Sequence, residues 1–398
     1  MAVKGAGGTG AGGVAGGGSA GSSCDSACVG NETCVGGICR GPISRWPTLG
    51  GDVHHSGFAV NETGTPPLKR AWSVPLAGPS GLWPAVSDGN TVWVSEHGYF
   101  DQAQRLWAIS PTDGHTLWTH DFGNIFGIGQ PTVDGGHVYV AQCNHAGMTF
   151  MYSFVASAGT IFWSAPFSAQ WENYWAPLVL PGGQMYFDGG SYGGLYGYGT
   201  TDGQQKFFNG MLEQYDQWTP MVLNGKVYSF IAGKLRTHDP LSGTVVSTVS
   251  VTWNWMGWSM QTAPVSDGEK IYFIAPPSLH ALRPGQGNPD WSLSGAYTGM
   301  PAVANGTVFA ISGGQLRAND AGTGAILWTF AADSALSYPP VVAGHFVYVA
   351  SVGHVYAIDT TTQQMVWMDE PGGWLSIAAG QLYVAQSNGT LAAHALTH

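Results

Sequence analysis

Imidazole and carboxylate side chains carried on neighbouring loops can hold a divalent ion and leave one position open for water. In this chain His97 and His145 are the candidate imidazoles, and Glu96, Glu172 or Asp216 the candidate carboxylates. One divalent ion held this way would lower the pKa of its water to about 7 and supply hydroxide as a nucleophile. That is hydrolase chemistry on an ester, phosphoester or glycoside, with Glu172, His145 and Glu96 as the catalytic residues. The spacing matches no established ligand motif, and separate loop histidines are the plainer alternative. Cys143 and His145 are a thiol and a base, but neighbours so close on one loop usually point apart. Glu172 and Glu213 form a carboxylate pair of the glycosidase kind, whose separation would set retaining against inverting chemistry.

A second kind of chemistry needs no ion. Three segments are dense in aromatic rings: Trp171-Glu172-Asn173-Tyr174-Trp175, Glu213-Gln214-Tyr215-Asp216-Gln217-Trp218 and Trp253-Asn254-Trp255-Met256-Gly257-Trp258. Aromatic faces beside carboxylates and amides suit a saccharide, a peptide, a flat aromatic ligand or the surface of a protein partner. Tyr99, Trp171, Tyr174, Trp175, Tyr215, Trp218 and Trp255 are the candidate binding residues. At least two of Trp171, Trp175, Trp218 and Trp255 are expected to line one pocket with Glu172 and His145. The alternative use of the same rings is to fill seams between structural units.

The elements that position these residues repeat. Pro301 to Trp328 reads as four short strands, turned at Asn305-Gly306, Gly313-Gly314 and Thr323-Gly324. Asn-Gly and Gly-Gly supply the positive φ that two-residue hairpins need. First strands open again at Pro84, Pro131, Pro177, Pro220, Pro264 and Pro340, and at Leu375 without proline. Fourth strands end at Trp118, Trp163, Phe207, Ser247, Trp291, Trp328 and Trp367. The period is about 40 residues, in the range of propeller blades. After Trp374 only three strands follow, and the spare fourth is Lys69 to Val74, with Trp72 in the place of the repeated tryptophan. Pairing it with Leu391 to Leu396 would close the ring and remove two open edges. The expected fold is all-β: an eight-bladed β-propeller of four-stranded antiparallel blades, closed by an N-terminal strand completing the C-terminal blade.

In such a ring one face carries the inter-blade loops and the loops joining second to third strands. The latter are long at 96–101, 142–147 and 188–192 but shrink to Gly313-Gly314 and Val352-Gly353 in blades six and seven. The aromatic segments fall on the same face, near blades one to four. Loops on a rigid scaffold are where binding residues concentrate.

The pattern Ala318-x-Asp320-x-x-Thr323-Gly324-x-x-x-Trp328 resembles the tryptophan-docking repeat of PQQ-like propellers. Ala357-x-Asp359 to Trp367 and Ala108 to Trp118 are close variants, and Trp46-x-x-x-x-Gly51-Asp52-x-x-His55-Ser56-Gly57 is similar to the segment that precedes the first blade in that family. The family contains quinone-dependent dehydrogenases and noncatalytic lipoproteins of the outer-membrane barrel assembly machinery. Its dehydrogenases use an adjacent cysteine pair above the quinone and a much longer chain. No Cys-Cys pair occurs here, so the resemblance implies the blade and no PQQ cofactor.

Residues 1–23 are a Gly/Ala/Ser tether, 24–40 a small cysteine-rich knot, 41–67 a lead-in segment and 68–398 the propeller. Cys24, Cys28, Cys34 and Cys39 lack a Cys-x-x-Cys pair or a nearby His, which favours two disulfides over a metal knuckle and leaves three connectivities open. Disulfides favour an extracytoplasmic location, periplasmic, outer-surface or secreted. Met1 to Lys4 are followed by no apolar leader segment, and anchoring by lipid or tether would belong to the natural precursor. His54 and His55 are expected as hydrogen-bonded packing residues where the lead-in crosses the ring. The formal charge of −11 argues against a nucleic-acid partner. No apolar run reaches the length of a membrane helix.

Overall fold

The computed structural model describes residues 33–35, 38–40, 44–78, 81–98, 102–143, 149–169, 175–180, 182–210 and 212–396. The chain divides into two units, Met1–Pro42 and Ile43–His398. In the first unit Thr33–Val35 and Ile38–Arg40 pair antiparallel, with Cys34 opposite Cys39. Residues 1–23, Cys24 and Cys28 lie outside the described residues, and the expected disulfides with them.

The second unit is an eight-bladed propeller. Blade six shows how the sequence makes a blade. Tyr297–Ala304, Thr307–Ser312, Gln315–Asp320 and Ile326–Phe330 form one antiparallel sheet. Its first turn holds Asn305 at φ 50 and Gly306 at φ 73, the left-handed pair a tight hairpin requires. The inner strands are apolar on both faces because neighbouring blades cover both. The outermost strand alternates, with Ile326 and Leu327 exposed.

Blade eight is built from both ends of the propeller sequence. Trp374–Ala378, Gln381–Ala385 and Thr390–Ala395 are joined by Lys69–Pro75, with Ala393 opposite Trp72 and Ala392 opposite Ser73. The expected closure is therefore present, and Thr390–Ala395 is not left as an unpaired edge.

Neighbouring blades are fastened by a repeated device. Trp72 Nε1 donates to Pro111 O at 2.8 Å, Trp118 Nε1 to Ala156 O at 2.8 Å, Trp163 Nε1 to Thr200 O at 2.8 Å and Trp291 Nε1 to Ala321 O at 3.2 Å. Each indole also lies flat on a left-handed glycine in the last turn of the next blade. A Cβ at Gly114, Gly159, Gly203 or Gly324 would stand 2.6, 2.5, 2.7 or 2.8 Å from the ring. Glycine is thus required twice at these positions, by φ and by contact.

The lead-in is a hub. Its backbone visits the inner strands of the blades in ring order. Ser44 O accepts from Ala379 N of blade eight, and Trp46 exchanges two bonds with Ser87 of blade one. Pro47 O accepts from Val133 N of blade two. Thr48 Oγ1 lies 3.0 Å from Thr132 Oγ1, which donates to Pro177 O of blade three at 2.6 Å. Val53 O, His54 O, Ser56 O and Gly57 O accept from Val222, Ser266, Val303 and Val342 of blades four to seven. Phe58–Ala59 then pairs in parallel with Val342 and Ala343, and Glu62 Oε1 accepts from Gly380 N of blade eight at 2.7 Å. His55, fully buried, has Nδ1 2.6 Å from Leu49 O and Nε2 2.9 Å from Pro220 O, as expected of a packing residue. Inner strands of a ring present unpaired groups to the channel, and the hub satisfies them. All these contacts adjoin the first turns, so the hub closes the channel on the tight-turn face.

Candidate binding face

The hub leaves the loop-rich face as the end at which the channel could open. Trp83, Trp175 and Trp374 stand there instead. Trp374 has its ring centroid 6.5 Å from Trp83, 6.4 Å from Trp175 and 5.3 Å from Tyr338. Trp83 and Trp175 are buried. The cavity between this aromatic layer and the hub is lined by Trp46, Leu49, Met300, Pro340 and Trp374, and its volume is about 10 Å³. That holds about one water.

The sequence-derived metal and catalytic residues divide. His145 and Glu172 lie outside the described residues, as do Tyr99, Trp171 and Tyr174. Glu96 follows the second strand of blade one and is buried, and burial pushes its carboxyl pKa up. His97 packs against Trp83 with ring centroids 4.0 Å apart, and burial pushes its imidazole down to about 4. It is therefore neutral at pH 7, the form that can ligate a metal. Among the described residues no group of three His, Cys, Asp or Glu side chains could hold an ion. Cys143 is buried at the end of the second strand of blade two. Glu213 is bound by both Lys234 and Arg236. Burial pushes its carboxyl up, but the Lys234 bond and the Arg236 charge outweigh that and hold it below the usual range.

The aromatic candidates separate by depth. Trp175 belongs to the channel layer. Trp218 is buried between blades three and four, with Nε1 donating to Tyr215 O at 3.0 Å. Trp255 is 59% exposed, and so are its loop neighbours Met256 at 64% and Trp258 at 66%. Tyr215, half-buried on the preceding inter-blade loop, packs against Trp253 and Trp258, each with centroids 5.6 Å apart. Trp255 meets Trp258 edge-on at 6.1 Å. The structure thus brings Tyr215 and Trp255 into one cluster and places Trp175 and Trp218 elsewhere.

This cluster is held, not loose. Asp216–Trp218 on the loop between blades three and four pairs in parallel with Ser259–Thr262 on the loop between blades four and five. Asp216 N donates to Trp258 O at 3.1 Å. Gln217 at φ 54 and Gln261 at φ 48 bend the two segments into this ledge. Sequence reasoning singled out the segment Trp253 to Trp258 as a whole, and within it named Trp255 alone as a binding residue. The available signal was three tryptophans within a segment that has no charged residue from Val251 to Thr262.

Comparison with solved structures places the fold. BamB from Moraxella catarrhalis is similar with a TM-score of 0.67 at 15% identity, covering 82% of this chain and 99% of that one. Quinohemoprotein alcohol dehydrogenase from Comamonas testosteroni gives 0.69 at 13% identity, covering 89% and 80%. The computationally designed Ika8 protein gives 0.63 at 13%, covering 82% and 99%. At such identities the likeness shows the fold alone. No curated protein matches the sequence. A family model matches residues 59–206, 102–310, 232–336 and 312–397, nearly the whole propeller. The chain belongs to that family, the PQQ-like propellers described as outer membrane protein assembly factor BamB.

Proposed function

We propose that this protein is an extracytoplasmic scaffold that docks a protein partner on its loop-rich face and serves in outer-membrane protein assembly. The observation that carries the reading is the ledge of Trp255, Met256 and Trp258, exposed yet fixed by the parallel pairing of two loops. Contiguous exposed aromatic surface on a rigid support marks an interaction site. Family membership supports the class of role. Among the described residues no helix is long and apolar enough to cross a membrane. The metal-dependent hydrolase reading rests on His145 and Glu172, and no feature of the described geometry favours it over the scaffold.

The test is a photo-reactive amino acid at position 255 in cells, followed by binding of the purified partner to Trp255→Ala and Trp258→Ala. A buried aromatic anchor costs about 2 kcal/mol or more on truncation, roughly a thirtyfold loss of affinity. The expected result is crosslinking to an outer-membrane assembly component and that loss of affinity, with unfolding unchanged. Full affinity in both variants would place the docking surface elsewhere.

A further inference from the structure

The tryptophan dock fails at one seam in a way that leaves a pocket. Gln363 occupies the turn position held by Gly324 in the preceding blade. Gln363 N donates to Asp359 O at 2.7 Å, as Gly324 N donates to Asp320 O at 2.8 Å. Gln363 keeps the left-handed conformation, φ 61, although it carries a side chain. That conformation disfavours an L-residue. The glycine turns close on Trp72, Trp118, Trp163 and Trp291, whereas Gln363 and Trp328 face a shared pocket. Those four indoles donate to the next blade, and Trp328 makes no such bond among the described residues.

The result is a pocket of about 330 Å³ between blades six and seven on the tight-turn face. This is within the range of small-molecule sites. Trp328 and Phe309 form its apolar wall, and Asn305, Thr307, Thr360 and Gln363 its polar edge. Asn305 Nδ2 donates to Gly344 O, so its Oδ1 is left to accept. Thr360 Oγ1 donates to His345 O and retains its lone pairs. No Asp, Glu, Lys or Arg lines the site.

We propose that this seam pocket binds a neutral pyranose ring. Its apolar C–H face would lie on the indole of Trp328, and its hydroxyls would meet the Trp328 N–H, the two amides and the two threonine hydroxyls. An indole beside planar amides, without charge, matches a ligand with one apolar face and a hydroxylated rim. A charged ligand would find no counter-ion here. A free sugar and the end of a glycan chain present the same ring chemistry, and the experiment separates them.

The experiment is ligand-observed saturation-transfer NMR on the full chain with methyl α-glucopyranoside, N-acetylglucosamine and their short oligomers. Saturation should fall on ring C–H protons. Binding should weaken at least about tenfold in both Trp328→Ala and Gln363→Gly. Gln363→Gly restores the closing glycine, so it should lose the ligand while stability holds or rises, which separates pocket loss from unfolding. Tighter binding of oligomers assigns a glycan, and equal binding a free sugar. Saturation of no pyranoside, or saturation unchanged in both variants, overturns the proposal. So does N-acetyltryptophanamide binding where no pyranoside does, which would assign a peptide side chain.

Discussion

Replacing Gly159 with alanine tests the fastening of the blades directly. Gly159 sits at φ 65 under the ring of Trp118, and a Cβ there would stand 2.5 Å from Cδ2. The left-handed backbone costs an L-residue roughly 1–2 kcal/mol. Forcing the turn or the indole aside adds about 1–3 kcal/mol of overpacking. The expected loss is about 3 kcal/mol, because the displacement also strains the Trp118 Nε1 bond to Ala156 O. Gly306→Ala is the control. Gly306 has φ 73 and nothing within 4 Å of the added carbon, so it should lose only the backbone part, about 1 kcal/mol. Urea unfolding followed by tryptophan fluorescence gives both values, read as shifts in midpoint at constant slope. Equal losses in the two variants would refute the claim that glycine is needed here for contact as well as for φ.

Other expectations follow from the same architecture. Removing residues 1–77 takes away both the hub and the closing strand, exposes Thr390–Ala395 as an open edge, and should cause aggregation by light scattering; removal of 1–40 should leave unfolding unchanged. Burial holds the His238 imidazole at about 4, below the ordinary 6.5, so the unfolded chain takes up a proton first. Its contribution is complete above pH 6.5 and falls as pH drops toward 4, by about 2 kcal/mol at pH 5. Denaturation at pH 7.5 and 5 should show a pH dependence that flattens in His238→Gln. The metal reading predicts about one divalent ion per chain by elemental analysis, lost in the His97→Ala, His145→Ala double variant; a metal-free preparation that hydrolyses a substrate would refute it.

The blades were legible because their signals are local. A two-residue glycine turn recurs from blade to blade and a docking tryptophan in most of them, and both act over one hairpin or one seam. Closure was legible by counting strands, since three at one end and one at the other leave a single pairing. The hub was only partly legible. Its contacts run through main-chain groups such as Ser44 O, Pro47 O, Val53 O and His54 O, which carry no residue signature. The depth of the loop tryptophans was not legible either. Trp175 lies two residues before the inner-strand proline Pro177 and ends in the channel, whereas Trp255 lies mid-loop and ends in water. Composition treats the two alike, and only the position of each along its loop separates them.

The departures from the repeat locate the candidate surfaces better than the repeat does. A ring whose seams all matched would present eight equivalent outer surfaces and no reason for a partner to choose one. Blade four has Ser247 where its neighbours carry a docking ring, and the loop leaving that blade bears the exposed ledge of Trp255, Met256 and Trp258. Blade seven has Gln363 where blade six carries the docking glycine Gly324, and that seam holds the 330 Å³ pocket. The two features lie on opposite faces, one among inter-blade loops and one among tight turns. They can therefore be altered separately, and substitutions at one should leave the other intact, as expected for distant sites without shared partners. The hub supplies the condition for this. By tying the inner strands to one segment, it lets seams depart from the dock while the ring stays closed.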